Sequence, residues 1–263
     1  MKIKLYQIDA FADDVFSGNQ AAVCPLDAWL DDELMQQIAA ENNLSETAFF
    51  VATNAGYHIR WFTPTKEVKL CGHATLASAY VIFNLLQTTP KNNNESIVFD
   101  SLSGELVVTK KGDYFELDFP ATPLRVCEPP ADLLNAFSEK PLACLQADDY
   151  VLVFENETSI ARAQPNFILL SRLNLRGVAI TAPGNEYDFV SRFFAPNYGI
   201  NEDPVTGSSF TQLIPYWSEK LNKKQVRAKQ ISKRGGVING VNAGDRVKIS
   251  GKAVKFMEGV IEI

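Results

Sequence analysis

Two short polar turns carry the residue types best suited to chemistry. The first is Val68-Lys-Leu-Cys71-Gly72-His73-Ala-Thr75 and the second Asn201-Glu202-Asp203-Pro-Val-Thr206-Gly207-Ser208-Ser209. Each runs straight into an apolar helical stretch, Leu76 to Leu86 and Phe210 to Leu221, so each is expected to present free backbone N–H groups at a helix N-terminus, where an anion binds well. Facing one another, two such turns would hold a carboxylate. A third candidate is Glu46, in Asn42-Asn43-Leu-Ser45-Glu46-Thr-Ala-Phe-Phe50. It stands between a helix end and a strongly apolar strand, where partial loss of water would raise a carboxyl's pKa toward neutrality. A carboxyl so poised can both remove and return a proton. A solvated loop glutamate is the plainer alternative.

His73 sits inside the first turn, which suits hydrogen bonding or proton handling as well as a surface position near a helix start. Asp203 could accept a hydrogen bond from a substrate amine or hydroxyl, and Ser208 could donate one to a carboxylate; both are also favoured helix-capping types. Cys71 at a helix N-terminus could be an activated thiol. A two-base racemase would need a second base at the equivalent place, and that region holds Asp203 and Pro204, so Cys71 reads better as a packed residue. His58, in the middle of a strand with no evident partner, reads as structural.

The elements that must position these residues recur. Arg60-Trp-Phe-Thr-Pro64 before the first turn reappears as Arg192-Phe-Phe-Ala-Pro196 before the second, 132 residues on (60 to 192). Ser101-x-x-Gly104 returns as Ser232-x-x-Gly235, and Gly112-Asp113 as Gly244-Asp245, at nearly the same offset. This suggests one folding unit present twice in tandem, with a small-molecule site where equivalent turns meet.

In order, a strand is expected over Ile3–Phe11, a Gly18-Asn19 turn, a strand over Ala21–Cys24 and a helix over Leu30–Glu41 ending at Asn42-Asn43. A hairpin of Thr47–Thr53 and Tyr57–Phe62 turns at Asn54-Ala-Gly56. After the first helix come a polar loop, Lys91–Glu95, and alternating runs Ser96–Thr109 and Tyr114–Phe119. The proline-rich stretch Pro120–Pro130 is the best linker candidate. The second half offers strands Tyr150–Glu155 and Gly177–Ala182 with a helix-like segment between them, then Asp188–Ala195, turn, helix and closing strands. Strand-rich halves each carrying a central helix point to an α+β fold. The halves divide at 1–119 and 120–263, with a last strand that can return to the first half. No βαβ series and no Gly-x-Gly-x-x-Gly follows a strand, which argues against a dinucleotide fold.

The 263 residues leave room for two domains, and 46% hydrophobic with 21% charged residues is ordinary for a globular protein. A net charge of −6 without a basic patch argues against nucleic acid as a partner. No apolar run reaches the ~20 residues that span a bilayer, and no signal-peptide pattern opens the chain, so no membrane association and a cytoplasmic location are expected. Cysteines at 24, 71, 127 and 144 lack paired short spacings, so reduced thiols and no structural metal are expected.

The combination Leu44-Ser-Glu46-Thr-Ala-Phe, Arg60-Trp-Phe-Thr-Pro, Leu70-Cys-Gly-His-Ala-Thr75 and Glu202-Asp-Pro-Val-Thr-Gly-Ser208 resembles the phenazine-biosynthesis PhzF-like isomerase family over almost the whole chain. The resemblance implies a diaminopimelate-epimerase-like fold: two similar halves, each a β-barrel-like sheet wrapped around a central helix, with the active site between them. It implies that Glu46 moves a proton between two carbons on one face of a substrate without a cofactor. His73, Asp203 and Ser208 would hold and polarise the substrate, and the amides at Gly72-His73 and Gly207-Ser208 would grip its carboxylate. Asn19, in the Gly18-Asn19-Gln20-Ala21 motif, joins the substrate-binding set, and a homodimer is implied. Two departures stand out: Gln20 where the family often has proline, and Ser209-Phe210-Thr211 where it often has Ala-His-Cys. The second would put an aromatic close to the pocket.

The expectation is therefore a cofactor-independent isomerase of a small carboxylate with a single glutamate as acid and base. Its rivals are a non-catalytic carboxylate-binding or sensing protein and a Cys71-dependent epimerase.

Overall fold

The structure, a computed structural model, describes residues 1–86 and 95–263. Of the polar loop expected at 91–95, all but Glu95 lies outside the described residues. The chain separates into two compact units, Met1–Asp118 with Ser250–Ile263, and Phe119–Ile249. The first is discontinuous because the closing strand Ala253–Glu262 pairs antiparallel with the opening strand Lys2–Ala10 along its length.

Within the first unit, Lys2–Ala10 is antiparallel to Asn19–Leu26, which is parallel to Glu46–Ala52. Tyr57–Phe62 lies antiparallel to that strand and takes Glu67–Val68 antiparallel and Ser96–Ser101 parallel. Within the second unit, Ala143–Gln146 is antiparallel to Tyr150–Val153, which is parallel to Val178–Pro183. Phe189–Ala195 lies antiparallel to that and takes Ile200–Asp203 antiparallel and Gln225–Gln230 parallel. The order and sense of these pairings match, so the tandem repeat in the sequence is a repeat of strand pairing. A shared ion pair marks it. Arg60 donates two hydrogen bonds of 2.8 Å to the Glu67 carboxylate, and Arg192 donates bonds of 2.7 and 2.9 Å to Glu202, each clipping a short strand to its neighbour.

Each unit wraps its strands around one helix, Gly72–Asn84 or Gly207–Leu221. The first is apolar on nearly every side, with Ala74, Leu76, Ala77, Ala79, Val81 and Ile82 wholly buried, as a central helix must be. The second contains Pro215, whose missing N–H leaves the Thr211 carbonyl without its helical partner. The Thr122 N–H supplies the replacement bond at 3.1 Å.

Several boundaries differ from expectation. The run 96–109 is two strands, Ser96–Ser101 and Gly104–Lys111. Gly104 (φ +89) turns the chain and the Ser101 hydroxyl donates to its carbonyl, a local hairpin that alternation alone does not reveal. The strand Ala143–Gln146 was not anticipated, and the helix-like segment of the second half is two short helices, Glu157–Arg162 and Phe167–Leu170.

The matched registers also make Gly177 the positional counterpart of Glu46 in the repeat. Thr47 pairs with Phe62 and Val178 with Phe194, and Glu46 and Gly177 each stand one residue earlier. A Cβ at Gly177 would lie 2.6 Å from Phe193 Cζ and 2.8 Å from the Phe194 carbonyl oxygen. Gly177→Ala is expected to lower stability by about 1–3 kcal/mol through overpacking. Gly259→Ala, where an added Cβ meets nothing within 4 Å, is the matched control. Urea midpoints check this; equal midpoints for both variants would refute it.

Candidate functional site

Glu46 opens its strand and is held level with Ala21 by the parallel pairing. Asn19, fully buried, lies two residues upstream of Ala21 on that neighbouring strand. His73 is the second residue of the helix Gly72–Asn84, whose first-turn amides have no acceptor within the helix. The three side chains converge. His73 Nε2 lies 3.1 Å from Glu46 Oε2, and Asn19 Nδ2 lies 3.4 Å from His73 Nδ1. The histidine approach is close but not aligned as a hydrogen bond, so Glu46 Oε2 is buried without an aligned donor. Such an oxygen is costly to bury, and a proton or a donor group would satisfy it.

The Ser45 hydroxyl donates to Asn19 Oδ1 at 3.1 Å, which leaves the amide nitrogen facing the ring. In the neutral ring, Nδ1 accepts from Asn19 and Nε2–H faces Glu46. A charged ring donates from both nitrogens and requires the Asn19 amide to reverse, with the Ser45 oxygen then accepting. Burial alone would lower the His73 pKa; the Cys71 sulfur and the Glu46 carboxylate beside it outweigh this and hold it well above 6.5. Burial first and Glu46 second push the Cys71 thiol up to about 11. Cys71 is therefore a neutral thiol near pH 7, and its part in raising the ring's pKa is felt where the thiolate forms, in alkali.

By NMR titration, His73 is expected to stay protonated well past pH 6.5 and to titrate lower in Glu46→Gln. Because the folded value is raised, this charge pair contributes its full stability below the unfolded value of about 6.5 and loses it as pH rises through the folded value. The stability difference between wild type and Glu46→Gln from this source therefore shrinks on the alkaline side. A ring titrating at its ordinary value in both proteins would contradict this.

Cys71 Sγ lies 3.5 Å from His73 Nδ1. Ligand atoms of Glu46, Cys71 and His73 all fall within 4.8 Å of one another, a group with the donor chemistry to hold a metal ion. Cys71 is the N-cap of its helix, and the residue in that place in the second unit is Thr206. Thr206, rather than Asp203 or Pro204, is thus its counterpart, and it is no thiol.

In the second unit Asp203 ends the strand Ile200–Asp203, and Gly207 and Ser208 open the helix. Thr206 Oγ1 donates to Asp203 Oδ2 at 2.5 Å. Fully buried Gln230 braces the turn: its amide donates to the Asp203 carbonyl at 2.6 Å and accepts from the Thr206 N–H at 3.0 Å. The N-cap residue Thr206 makes no side-chain cap bond to the helix, and Ser208 lies inside the helix rather than at its cap. Ser208 Oγ instead accepts from Arg176 Nη1 at 2.8 Å. Arg176 is gripped from behind by the wholly buried Asp149, with Nε to Oδ1 at 2.9 Å and Nη2 to Oδ2 at 2.5 Å, while Gln212 Nε2 donates to Oδ2 at 2.7 Å. The guanidinium also lies 5.4 Å from the Phe193 ring centre. Burial would lower the Arg176 pKa, but the Asp149 carboxylate, with Asp148 and Asp203 adding to it, holds it above its ordinary value.

The structure thus brings Glu46, His73 and Asn19 together in one unit, and Asp203, Gly207 and Ser208 together in the other. Arg176, Asp149, Gln230 and Ser45 were not expected. Phe210 is fully buried with its ring 6.0 Å from that of Phe189, a core residue rather than an open pocket wall. His58 does have a partner, packing edge-on to Trp29 at 5.0 Å.

Among the described residues no helix is long and apolar enough to cross a membrane. The family model of the phenazine biosynthesis-like protein, PhzC-PhzF, matches residues 8–259. A Pseudomonas aeruginosa protein named as an uncharacterized isomerase is 49% identical, with all of both chains covered. The crystal structure of a PhzF family protein from Enterococcus faecalis superposes with a TM-score of 0.96 at 44% identity, again covering all of both chains. The structure of a hydroxyproline epimerase from Agrobacterium vitis shares the fold alone, with a TM-score of 0.62 at 9% identity over 99% of this chain and 92% of that one. The chain belongs to the phenazine biosynthesis-like, or PhzF, family.

Proposed function

We propose that this protein is a cofactor-independent isomerase that moves a proton between two carbons of a small carboxylate, with Glu46 as its single acid and base. The observation that carries this reading is the Glu46 carboxylate itself: one oxygen is buried without an aligned donor, beside a histidine held well above its ordinary pKa. Glu46 takes the proton from carbon and returns it at a second carbon on the same face. The imidazolium of His73 steadies the negative charge that develops in the substrate, an electrostatic effect strongest away from water. In the second unit, the Gly207 and Ser208 amides and the Ser208 hydroxyl offer donors to a carboxylate, and Asp203 offers an acceptor to an amine or hydroxyl.

A single base is supported by the repeat. The position equivalent to Glu46 is Gly177, where no side chain fits, and the position equivalent to Cys71 is Thr206. Same-face transfer needs one base, whereas inversion of a stereocentre needs two. Cys71, neutral near pH 7, is a poor base.

The test is incubation in D₂O with a panel of cyclic and unsaturated amino and hydroxy carboxylates, following deuterium at carbon by NMR and mass spectrometry. Exchange or isomerisation that depends on Glu46 supports the reading. Binding without exchange in wild type and Glu46→Gln alike would replace it with a carboxylate-binding protein.

A further inference from the structure

We propose that Cys127 and Cys144 form a modification site of the second unit, a dithiol that a peroxide or a small disulfide oxidises to an intramolecular disulfide. Neither residue belongs to the machinery described above.

The two sulfurs lie 3.3 Å apart, close to van der Waals contact and far closer than two unrelated thiols. The backbone sets this distance. The short strand Arg125–Val126 pairs antiparallel with Ala143–Gln146, Val126 opposite Leu145. One step on, the Cys127 N–H donates to the Cys144 carbonyl at 3.1 Å, so the cysteines face each other as the next rung. Directly opposed antiparallel residues have Cα atoms about 4.5–5.5 Å apart, inside the ~4.4–6.8 Å span of disulfides. Closing the bond therefore needs side-chain rotation and a small approach of the sulfurs, with no strand displaced.

The surroundings divide the chemistry between the partners. Cys144 belongs to the hydrophobic cluster with Leu133, Tyr150 and Leu152, while Cys127 packs against that cluster from the partly exposed side. Cys127 is the sulfur an oxidant reaches first. With hydrogen peroxide, the Cys127 sulfur takes one oxygen to become a sulfenic acid and the other oxygen leaves as water. The Cys144 sulfur then attacks the Cys127 sulfur, the S–OH bond breaks, and the hydroxyl departs as a second water with the Cys144 proton. Both thiols are oxidised and the peroxide is reduced, so two thiols and one peroxide give one disulfide and two waters. With a small disulfide, Cys127 forms the mixed disulfide and Cys144 displaces the second thiol. Burial, and then the neighbouring Cys127, push the Cys144 thiol up to about 12, so the closing step is slow at neutral pH and accelerates in alkali. The cross-link closes a ring that contains the helix Ala131–Asn135 and restricts the unfolded chain.

The experiment treats the full-length protein with hydrogen peroxide under mild conditions and reads intact mass, free thiols and mapped peptides. The four free thiols are expected to fall to two, with the mass lower by two hydrogens and one cross-linked peptide pair joining Cys127 to Cys144. Dithiothreitol restores all four. The closing rate rises by about tenfold per pH unit while Cys144 deprotonation limits it, and the oxidised protein melts higher than the reduced. Cys127→Ser, a change at the partly exposed position, abolishes the cross-link, and Cys144→Ala gives overoxidised Cys127 in its place. Four unreacted thiols in wild type would overturn the proposal. So would sulfinic acid at Cys127 beside a free Cys144, or a cross-link between two chains on a non-reducing gel.

Discussion

Glu46→Gln is expected to reduce carbon-proton exchange and isomerisation of a panel substrate by about 10²–10⁴-fold, the usual contribution of a positioned acid–base group. The substitution keeps the shape of the side chain and removes its capacity to accept a proton. Glu46 is 14% exposed at the start of its strand, and the backbone pairing that places it does not depend on its charge. The folded structure should therefore survive, and unchanged circular dichroism separates loss of chemistry from loss of fold. Binding of the same carboxylate should be nearly retained, since the substitution leaves the helix-terminal amides and the Ser208 hydroxyl intact. A fall in kcat with little change in KM is the expected pattern, because the interaction lost is one made while the proton moves. Full turnover in Glu46→Gln would eliminate the mechanism, and Cys71 would then be the base to examine. Cys71→Ala discriminates further: its thiol is buried and pushed up to about 11, so turnover is expected to be retained, and loss of turnover would point to the thiol as the base.

How much of this was legible in the sequence follows from the range of the interactions. The two helix-opening turns are local, set by Gly72 and Gly207 and the apolar runs after them, and both are where the sequence places them. The duplication was legible because Arg60 and Arg192 hold the same place in their strands and grip the same kind of partner, Glu67 and Glu202. The network behind Ser208 was not legible, because Asp149 and Arg176 are 27 residues apart and meet only across paired strands. A signal did exist. Carried upstream, the repeat sets Arg176 against Ser45, one residue before Gly177 and Glu46 respectively. Ser45 supports Asn19 behind His73, and Arg176 joins Asp149 to Ser208. The same architectural position thus orients the second helical residue of each unit, by different chemistry. The strand 143–146 escaped notice because it is four residues long and precedes a turn of charged residues, Asp148 and Asp149. The closing strand's return was visible only as an option, since pairing across the full chain length leaves no local pattern.

Arg176→Ala carries the largest expected effect on stability. Its guanidinium supplies two of the three side-chain hydrogen bonds that hold the Asp149 carboxylate, which is wholly buried, and leaves Gln212 as the remaining donor when it is removed. An uncompensated buried charge costs about 3–5 kcal/mol. A value toward the lower end is expected, because the Arg176 side chain is 33% exposed and water can enter the space it vacates. Urea unfolding of the full chain measures this. Removing both charges tests whether the loss arises from the stranded carboxylate: Asp149→Leu combined with Arg176→Met should be more stable than Arg176→Ala alone, since the apolar pair leaves no buried charge unpaired. Equal losses in the two would refute the electrostatic account. Arg176→Lys separates charge from geometry. An ammonium can neutralise Asp149, but it cannot make the paired bonds to both carboxylate oxygens while donating to Ser208. Stability should largely return while the Ser208 hydroxyl, no longer held by a donor, rotates freely. For a panel carboxylate turned over by the wild type, Arg176→Lys is then expected to raise KM several-fold with kcat less affected. That split is the reverse of the pattern expected for Glu46→Gln, as the proposed division between a carboxylate-binding Ser208 and a proton-moving Glu46 requires. An unchanged KM would confine Arg176 to holding the fold.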